Sequence, residues 1–228
     1  MTDRLENIVI ITGHYGSGKT NFAVNLALDF AARGEIVTIA DMDIVNPYFR
    51  TADFGEFFDR GNIKTIFPLY AGSNLDIPAL DGRIEAAVAS AGRLILDVGG
   101  DDAGATALGR YSGAIAARGY SMLYIVNFCR LQTATAGQAA QSMAEIAAAA
   151  KLNITAIVNN SNLAADTDAG LIIRKAEPAE HLSQITGVPL LCHCARRDID
   201  TSGIPLENIY PVDVYVNHIW EKDGFSNG

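Results

Sequence analysis

The chain has 228 residues, of which 49% are hydrophobic and 19% are charged, so it is composed like a folded protein with a substantial core. The 17 basic and 26 acidic side chains give a formal net charge of -9 at pH 7, which argues against binding nucleic acid or an anionic membrane through overall charge. We expect residues 1–228 to form a single domain. We also expect a cytoplasmic protein with three reduced cysteines and with neither a signal peptide nor a membrane span.

The first predicted strand runs directly into a glycine-rich turn. Residues 8–11 are Ile-Val-Ile-Ile, and residues 13–20 read Gly-His-Tyr-Gly-Ser-Gly-Lys-Thr, which is the G-x-x-x-x-G-K-T pattern of a P-loop. Phe22, Leu26 and Phe30 follow at helical spacing. The motif therefore has the strand, loop and helix context that it requires.

These residue types suit a polyphosphate ligand. Glycines at 13, 16 and 18 leave backbone N–H groups open, and the helix N-terminus adds the positive end of a dipole. Lys19 is expected to reach the β- and γ-phosphates, and the Thr20 hydroxyl is expected to bind Mg²⁺. The predicted nucleotide contacts are Gly13, His14, Tyr15, Gly16, Ser17, Gly18, Lys19, Thr20 and Asn21.

Apolar, β-rich runs alternate with helical segments along the whole chain. Strands are predicted near residues 7–12, 36–41, 64–67, 93–98, 121–127, 154–159 and 188–193, and helices near 19–33, 81–91, 103–118, 133–151, 168–186 and 212–221. This alternation predicts an α/β, three-layer P-loop NTPase domain: a mainly parallel sheet of about seven strands with helices on both faces. Ligands of such folds bind at the carboxyl ends of the strands.

Two of these strands are predicted to end in carboxylates. Asp41 and Asp43 could serve Mg²⁺ and an attacking water, or could be solvated turn residues. Asp97 matches the carboxylate that supports Mg²⁺, and Asp97-x-x-Gly100 matches a sensor whose glycine N–H contacts the terminal phosphate. An acidic turn after a core strand is the alternative for the second pair.

Amide side chains follow a later strand. Asn159 and Asn160 could read the edge of a base, because amides both donate and accept hydrogen bonds, although an asparagine-rich turn would explain them as well. A guanine-binding site should read N-K-x-D, and this chain has Asn160 and Asn162 in place of the lysine and the aspartate. The segment therefore favours adenine.

The remaining segments are interpreted as architectural. The strand near 121–127 and its alanine-rich helix carry no recognisable chemistry, and Cys129 is expected to be buried at the strand end. Residues 192–194 read Cys-His-Cys, which invites a metal site. On a strand, however, the two cysteines share one face and His193 points to the other, so core cysteines are the default interpretation.

Together these motifs resemble the MinD/ParA/ArsA-type (SIMIBI class) P-loop ATPases of the CobQ/CobB/MinD/ParA nucleotide-binding domain family. The resemblance covers most of the chain and implies ATP with Mg²⁺, held in a homodimer that encloses two nucleotides. It also implies that Asp43 positions the water, that Asp41 and Asp97 support Mg²⁺ and that Thr20 ligates it.

Two positions depart from the family pattern. His14 stands where the family has a lysine that reaches the phosphate bound by the partner, and the sensor reads Asp-Val-Gly-Gly without the usual proline. From the sequence we expect neither the amphipathic tail of membrane-cycling relatives nor a basic DNA-binding surface. A soluble protein client, such as a metalloprotein or its maturation machinery, is therefore expected.

Three functions fit these observations. The first is an ATPase that works as a nucleotide-dependent dimeric switch, with Lys19 and Asp43 as its catalytic residues. The second is an ATP-dependent biosynthetic ligase or small-molecule kinase, similar to dethiobiotin synthetase or cobyrinate synthase. The third is a nucleotide-binding module with little hydrolysis, for which the histidine at position 14 is the main argument.

Overall fold

A computed structural model describes residues 1–42, 58, 63–66, 77–99 and 102–215. Its strands are β1 (Ile8–Thr12), β2 (Val37–Asp41), β3 (Ile63–Ile66), β4 (Arg93–Asp97), β5 (Ser121–Val126), β6 (Ala156–Asn159), β7 (Leu190–Arg196) and β8 (Ile209–Val212). Its helices are α1 (Lys19–Ala32), α2 (Ile77–Ala89), α3 (Asp102–Gly109), α4 (Ser112–Arg118), α5 (Ala136–Ala150), α6 (Ala169–Arg174) and α7 (Ala176–Thr186). Short 3-10 turns cover Thr2–Arg4, Leu131–Thr133 and Ala164–Asp166.

The strands form one eight-stranded sheet in the order β3-β2-β4-β1-β5-β6-β7-β8, and every pair is parallel. This confirms the predicted α/β fold, with one strand more than expected. Strand β1 lies inside the sheet between β4 and β5. Because all strands run the same way, the segments that leave β4, β1 and β5 meet at one edge of the sheet.

The two faces of the sheet bury two apolar clusters. Alternate residues of β1 point to opposite faces of the sheet, so that Ile8 and Ile10 pack into one cluster and Val9 and Ile11 pack into the other. Helices α2, α3, α4, α5 and α7 cover the first face, and α1 covers the second with Phe22, Leu26 and Phe30 among its buried side chains. The P-loop thus joins a fully buried strand to a helix that is packed along the same sheet.

Some predicted boundaries were wrong. The helix predicted to start at 212 is preceded by a strand that the sequence did not reveal, β8, whose residue Val212 pairs with Arg196; residues 216–221 lie outside the described residues. Strand β8 contains Pro211, which is tolerated because β8 is the edge strand of the sheet formed by the described residues, in which β7 is its one neighbour. Helix α2 begins at Ile77, four residues before the predicted start near residue 81.

Two long predicted helices are each divided. The segment 103–118 contains α3 and α4, which are separated at residues 110–111, and the segment 168–186 contains α6 and α7, which meet at Lys175. Over the described part of the chain, none of these helices has the length and hydropathy needed to cross a membrane.

Candidate functional site

The glycine-rich loop leaves the carboxyl end of β1 and enters α1. Its three glycines have positive φ angles, 143° at Gly13, 75° at Gly16 and 87° at Gly18, and Gly18 is the N-cap residue of α1. These backbone angles are rarely adopted by residues with a side chain. The local sequence therefore specifies the turn that the P-loop pattern predicted.

Close packing adds a second reason for glycine at two of these positions. A Cβ atom at Gly13 would lie 2.2 Å from the carbonyl oxygen of Ile125 in β5, and one at Gly18 would lie 2.3 Å from Nδ2 of Asn160. The loop is therefore pressed against the ends of β5 and β6. Its glycines let the backbone fit there and also leave its N–H groups accessible to a ligand.

The Lys19 side chain folds back over the loop. Its Nζ donates to the carbonyl oxygen of His14 at 3.3 Å, and the residue is only 9% exposed. The backbone N–H of Ser17 donates to the same carbonyl at 3.2 Å. Nδ1 of the His14 ring lies 3.1 Å from the carbonyl oxygen of Tyr15, whose own side chain is exposed. A cation is thus held at the loop, where a phosphate would need it.

Two carboxylates stand side by side at the ends of β2 and β4. Asp41 and Asp97 are register partners, with exposures of 1% and 3%, and the Thr20 hydroxyl donates to Oδ2 of Asp97 at 2.7 Å. Neighbouring buried carboxylates repel each other, and a hard cation relieves that repulsion. These oxygens fit Mg²⁺, which completes its shell with water and substrate phosphates in such sites.

Two predicted site residues fall on parts of the chain for which the structure gives no placement. Asp43, the predicted water-positioning residue, and Gly100, the predicted phosphate sensor, lie outside the described residues. Their roles remain predictions. The described chain reaches Met42 and Gly99 beside them, and the Met42 N–H donates to the carbonyl oxygen of Asp97 at 2.8 Å.

The two candidate base-reading asparagines have different surroundings. Nδ2 of Asn160 donates to the carbonyl oxygen of Ser17 at 2.8 Å, so this side chain supports the P-loop from β6. Its Oδ1 accepts no hydrogen bond from the described residues. Asn160 therefore lies at the loop with an acceptor still available to a ligand.

Asn159 is not brought to the P-loop. Its Nδ2 donates to the carbonyl oxygen of Lys175 at 2.9 Å and lies 3.0 Å from Nδ1 of His193, while its Oδ1 accepts from the Ser161 hydroxyl at 2.6 Å. The amide is thus used to join the end of β6 to β7 and to the junction of α6 with α7. The predicted contact between Asn159 and a base remains a prediction, and the described hydrogen bonds of this amide are directed away from the P-loop.

This network makes the stability pH-dependent. Burial lowers the pKa of His193 below its usual 6.5, and Glu180 opposes the shift. Folding therefore favours the neutral form of His193, whose Nδ1 can accept from Asn159, and the unfolded chain takes up a proton more readily. Since the unfolded state binds more protons just below pH 6.5, the free energy of unfolding should rise with pH through that window and level off above it.

The test compares urea unfolding of the wild type and of His193→Gln at about pH 5.5 and about pH 7.5. The variant should lose the pH dependence that His193 contributes and show a flatter profile. His181→Gln, which replaces an exposed histidine on α7, is the control and should keep the wild-type slope. Equal slopes in all three proteins would contradict the assignment.

The Asn21 side chain faces the segment after β8. Its Nδ2 donates to the carbonyl oxygen of Asp213 at 2.9 Å, and its Oδ1 accepts from the N–H of Tyr215 at 2.8 Å. Asn25, one turn further along α1, also exchanges hydrogen bonds with the backbone of Asp213. These two amides fix residues 213–215 along the helix that follows the P-loop, and the predicted nucleotide contact of Asn21 remains a prediction.

The Cys-His-Cys segment behaves as a core strand. Cys192 and Cys194 are buried in the cluster on the α1 face, whereas His193 points the other way, towards Asn159. Burial raises the pKa of the Cys194 thiol well above its usual value, and the neighbouring Cys192 raises it further. Among the described residues no group of three His, Cys, Asp or Glu side chains could hold a metal ion.

The turn after β5 carries a residue that the sequence did not reveal as functional. Nε of Arg130 donates to the carbonyl oxygen of Gly16 at 3.1 Å, so the arginine lies on the P-loop. Knowing that β5 adjoins β1 would have drawn attention to this turn, since its carboxyl end then lies beside the loop. The spacing of the motifs along the sequence does not reveal the order of the strands in the sheet.

The fold and the glycine-rich loop define a P-loop NTPase-like domain. The chain is similar to FtsY from Mycoplasma mycoides, with 13% identity, a TM-score of 0.54 and coverage of 85% of this chain and 61% of that one. It is also similar to a nucleotide-binding protein from Archaeoglobus fulgidus, solved in complex with ADP, with 18% identity, a TM-score of 0.53 and coverage of 82% and 80%.

A third similar structure is the kinase domain of the Escherichia coli tyrosine kinase ETK, with 19% identity, a TM-score of 0.50 and coverage of 68% of both chains. At these identities the likeness establishes the fold. No protein-family model and no curated protein matches the chain. The finer resemblance to the MinD/ParA/ArsA group, with His14 at the position of its lysine, remains a prediction.

Proposed function

We propose that this protein is an ATPase that binds Mg·ATP and works as a nucleotide-dependent dimeric switch on a soluble protein client. The observation that carries the proposal is the 2.7 Å hydrogen bond between the Thr20 hydroxyl and Asp97 at the end of a glycine-rich loop. It joins the first turn of α1 to the carboxylate pair of β2 and β4. A polyphosphate site and a divalent-cation site therefore adjoin each other.

The loop supplies the phosphate contacts in this proposal. Backbone N–H groups of the loop and the start of α1 surround the polyphosphate, and Lys19 adds a positive charge. The base lies towards Asn160, which has an acceptor available for the exocyclic amine of adenine. The nucleotide-binding protein from Archaeoglobus fulgidus, which has a similar fold, was solved in complex with ADP. That complex supports the proposal of an adenine nucleotide for this chain.

Thr20, Asp41 and Asp97 would hold Mg²⁺. When bound, the cation supplies charge neutralisation for the phosphate oxygens. Asp43, two residues beyond Asp41, would orient and deprotonate the attacking water. Gly100 would sense the terminal phosphate from the segment after β4. These roles follow from the resemblance and from the positions of Asp41 and Asp97 at neighbouring strand ends.

Exposed apolar side chains near the loop support a protein-binding face. Tyr15 is 62% exposed, Leu131 after β5 is 85% exposed, and Leu163 after β6 is 49% exposed. All three leave the same edge of the sheet as the P-loop. In the proposed dimer these three side chains belong to the surface that a second copy of the chain covers.

The first experiment measures Mg·ATP binding by calorimetry, phosphate release, and molar mass by light scattering with a non-hydrolysable ATP analogue, with ADP and without nucleotide. We expect binding, slow turnover and a doubled mass with the analogue alone. Absence of ATP binding would refute the proposal. An unchanged mass with ADP formation that depends on a small carboxylate substrate would instead favour the biosynthetic ligase.

A further inference from the structure

Arg130 lies on the side of the P-loop that faces β5. Besides its 3.1 Å hydrogen bond to Gly16, its guanidinium carbon lies 3.7 Å, and its Nε 3.4 Å, from the position that a Cβ atom would take at Gly16. Because Gly16 has no side chain, the guanidinium group packs directly on the loop backbone. These distances are ordinary van der Waals contacts, so the guanidinium group lies against the loop without a clash.

The backbone of this arginine is firmly placed while its side chain is exposed. The Arg130 N–H donates to the carbonyl oxygen of Asn127 at 3.1 Å, and the Thr133 hydroxyl donates to the same carbonyl at 2.7 Å. The side chain of Asn127 is buried and accepts from the N–H of Cys129 at 2.9 Å. A hydrogen-bonded turn therefore presents Arg130 beside the loop.

Most of the donors of Arg130 are not used within the described residues. A guanidinium group has five N–H donors, and only the Nε donor has a partner there. By contrast, Arg93, Arg196 and Arg197 each bond a carboxylate. Arg130 differs from these three arginines because it has no carboxylate partner among the described residues, although the chain has a net charge of -9.

The sheet order places opposite charges on the two sides of the loop. Strand β4 carries Asp97 on one side of β1, and the turn after β5 carries Arg130 on the other. We propose that Arg130 binds the terminal phosphate oxygens of the nucleoside triphosphate through its two terminal nitrogens, while its Nε stays on Gly16. This inference rests on the proposed function and adds a specificity-determining residue for triphosphate over diphosphate. The planar fork of arginine matches the geometry of two phosphate oxygens.

The test compares Arg130→Gln and Arg130→Lys with the wild type, using Mg·ATP, Mg·ADP and inorganic tripolyphosphate in calorimetric titrations. Arg130→Gln should raise the Kd for Mg·ATP and for tripolyphosphate about tenfold or more, as expected when one charge-assisted contact is lost. The Kd for Mg·ADP should rise less than threefold, on the order of a weak long-range charge effect. Arg130→Lys should recover part of the loss.

Arg174→Gln is the matched control. Arg174 is exposed on α6, and its charge favours a lower pKa of Cys129, as the charge of Arg130 does. None of the described hydrogen bonds of Arg174 reaches the P-loop. This variant should keep wild-type affinities for all three probes. A similar loss in Arg174→Gln would mean that only the general positive potential matters, and it would overturn the inference.

The remaining outcomes separate this inference from the proposed function. Equal losses for ATP and ADP, together with a lower unfolding midpoint, would show that Arg130 only fastens the loop. Unchanged ATP affinity in Arg130→Gln would overturn the inference and leave the proposed function intact. If the wild type binds tripolyphosphate but not ATP, the proposed function is refuted, and the inference about Arg130 is decided by the tripolyphosphate affinity of Arg130→Gln. If the wild type binds neither probe, both the proposed function and the inference are refuted.

Discussion

Replacing Lys19 with alanine is expected to weaken Mg·ATP binding by at least about tenfold and to abolish ATP hydrolysis. The Lys19 ammonium group lies over the loop, 3.3 Å from the His14 carbonyl oxygen, and is 9% exposed. In such a shielded position a hydrogen bond to a charged group is worth about 1.5–3 kcal/mol. Calorimetric titration measures the loss in affinity, and phosphate release measures the loss in turnover.

Two further variants make the result specific. Lys64→Ala removes the same charge from an exposed position on β3 and should keep wild-type binding and turnover. Asp43→Ala should bind Mg·ATP normally but release no phosphate, because its proposed role begins after binding. Turnover that survives in Lys19→Ala at the wild-type rate would show that the measured hydrolysis does not take place at this loop.

The P-loop could be predicted from the sequence because its determinants are neighbours in the chain. Strand β1, the glycines at 13, 16 and 18, and the apolar face of α1 lie within 25 consecutive positions, residues 8–32. The turn needs positive φ angles, and glycine supplies them locally. The parallel alternation of strands and helices was equally readable, because burial on both faces gives the central strands, such as β1 and β5, continuous apolar runs.

Other parts of the site depend on contacts between distant residues. Asn159 and Asn160 are adjacent in the chain, yet one bonds the junction of α6 with α7 and the other bonds Ser17, 143 positions away. Successive residues of an extended segment point to opposite sides, and only the neighbouring strands decide which side is the ligand side. The sequence therefore predicted a polar strand end, but it did not predict that only one of the two amides contacts the P-loop.

Strand β8 shows a second limit. A four-residue segment with a central proline lacks the alternating pattern of a strand, and its pairing with β7 becomes favourable only because that edge of the sheet is open. The burial of Tyr210 follows from the same docking: its ring contacts Phe22 of α1 edge-to-face at a centroid distance of 5.5 Å, and its hydroxyl donates to Asp29. Tertiary packing, rather than local propensity, forms this strand.

Replacing Gly13 with alanine is expected to lower the free energy of unfolding by about 3–5 kcal/mol, because backbone strain and overpacking both apply. Gly13 has a φ of 143°, and its new Cβ would lie 2.2 Å from the carbonyl oxygen of Ile125. That oxygen belongs to the backbone of β5, so the clash cannot be relieved by turning a side chain. Relief requires β1 to move relative to β5 in the centre of the sheet. Urea unfolding without nucleotide measures the change.

Gly34→Ala is the matched control, because Gly34 has a φ of 81° and no atom of the described residues lies within 4 Å of the position of its Cβ. It carries the strain of a left-handed conformation without the clash, and we expect it to cost about 1–2 kcal/mol. The difference between the two variants therefore reports the contact with Ile125 together with the additional backbone strain of a φ of 143°. If Gly13→Ala costs no more than Gly34→Ala, the P-loop is less tightly wedged against β5 than the structure indicates, and its glycine at position 13 serves backbone conformation and ligand access alone.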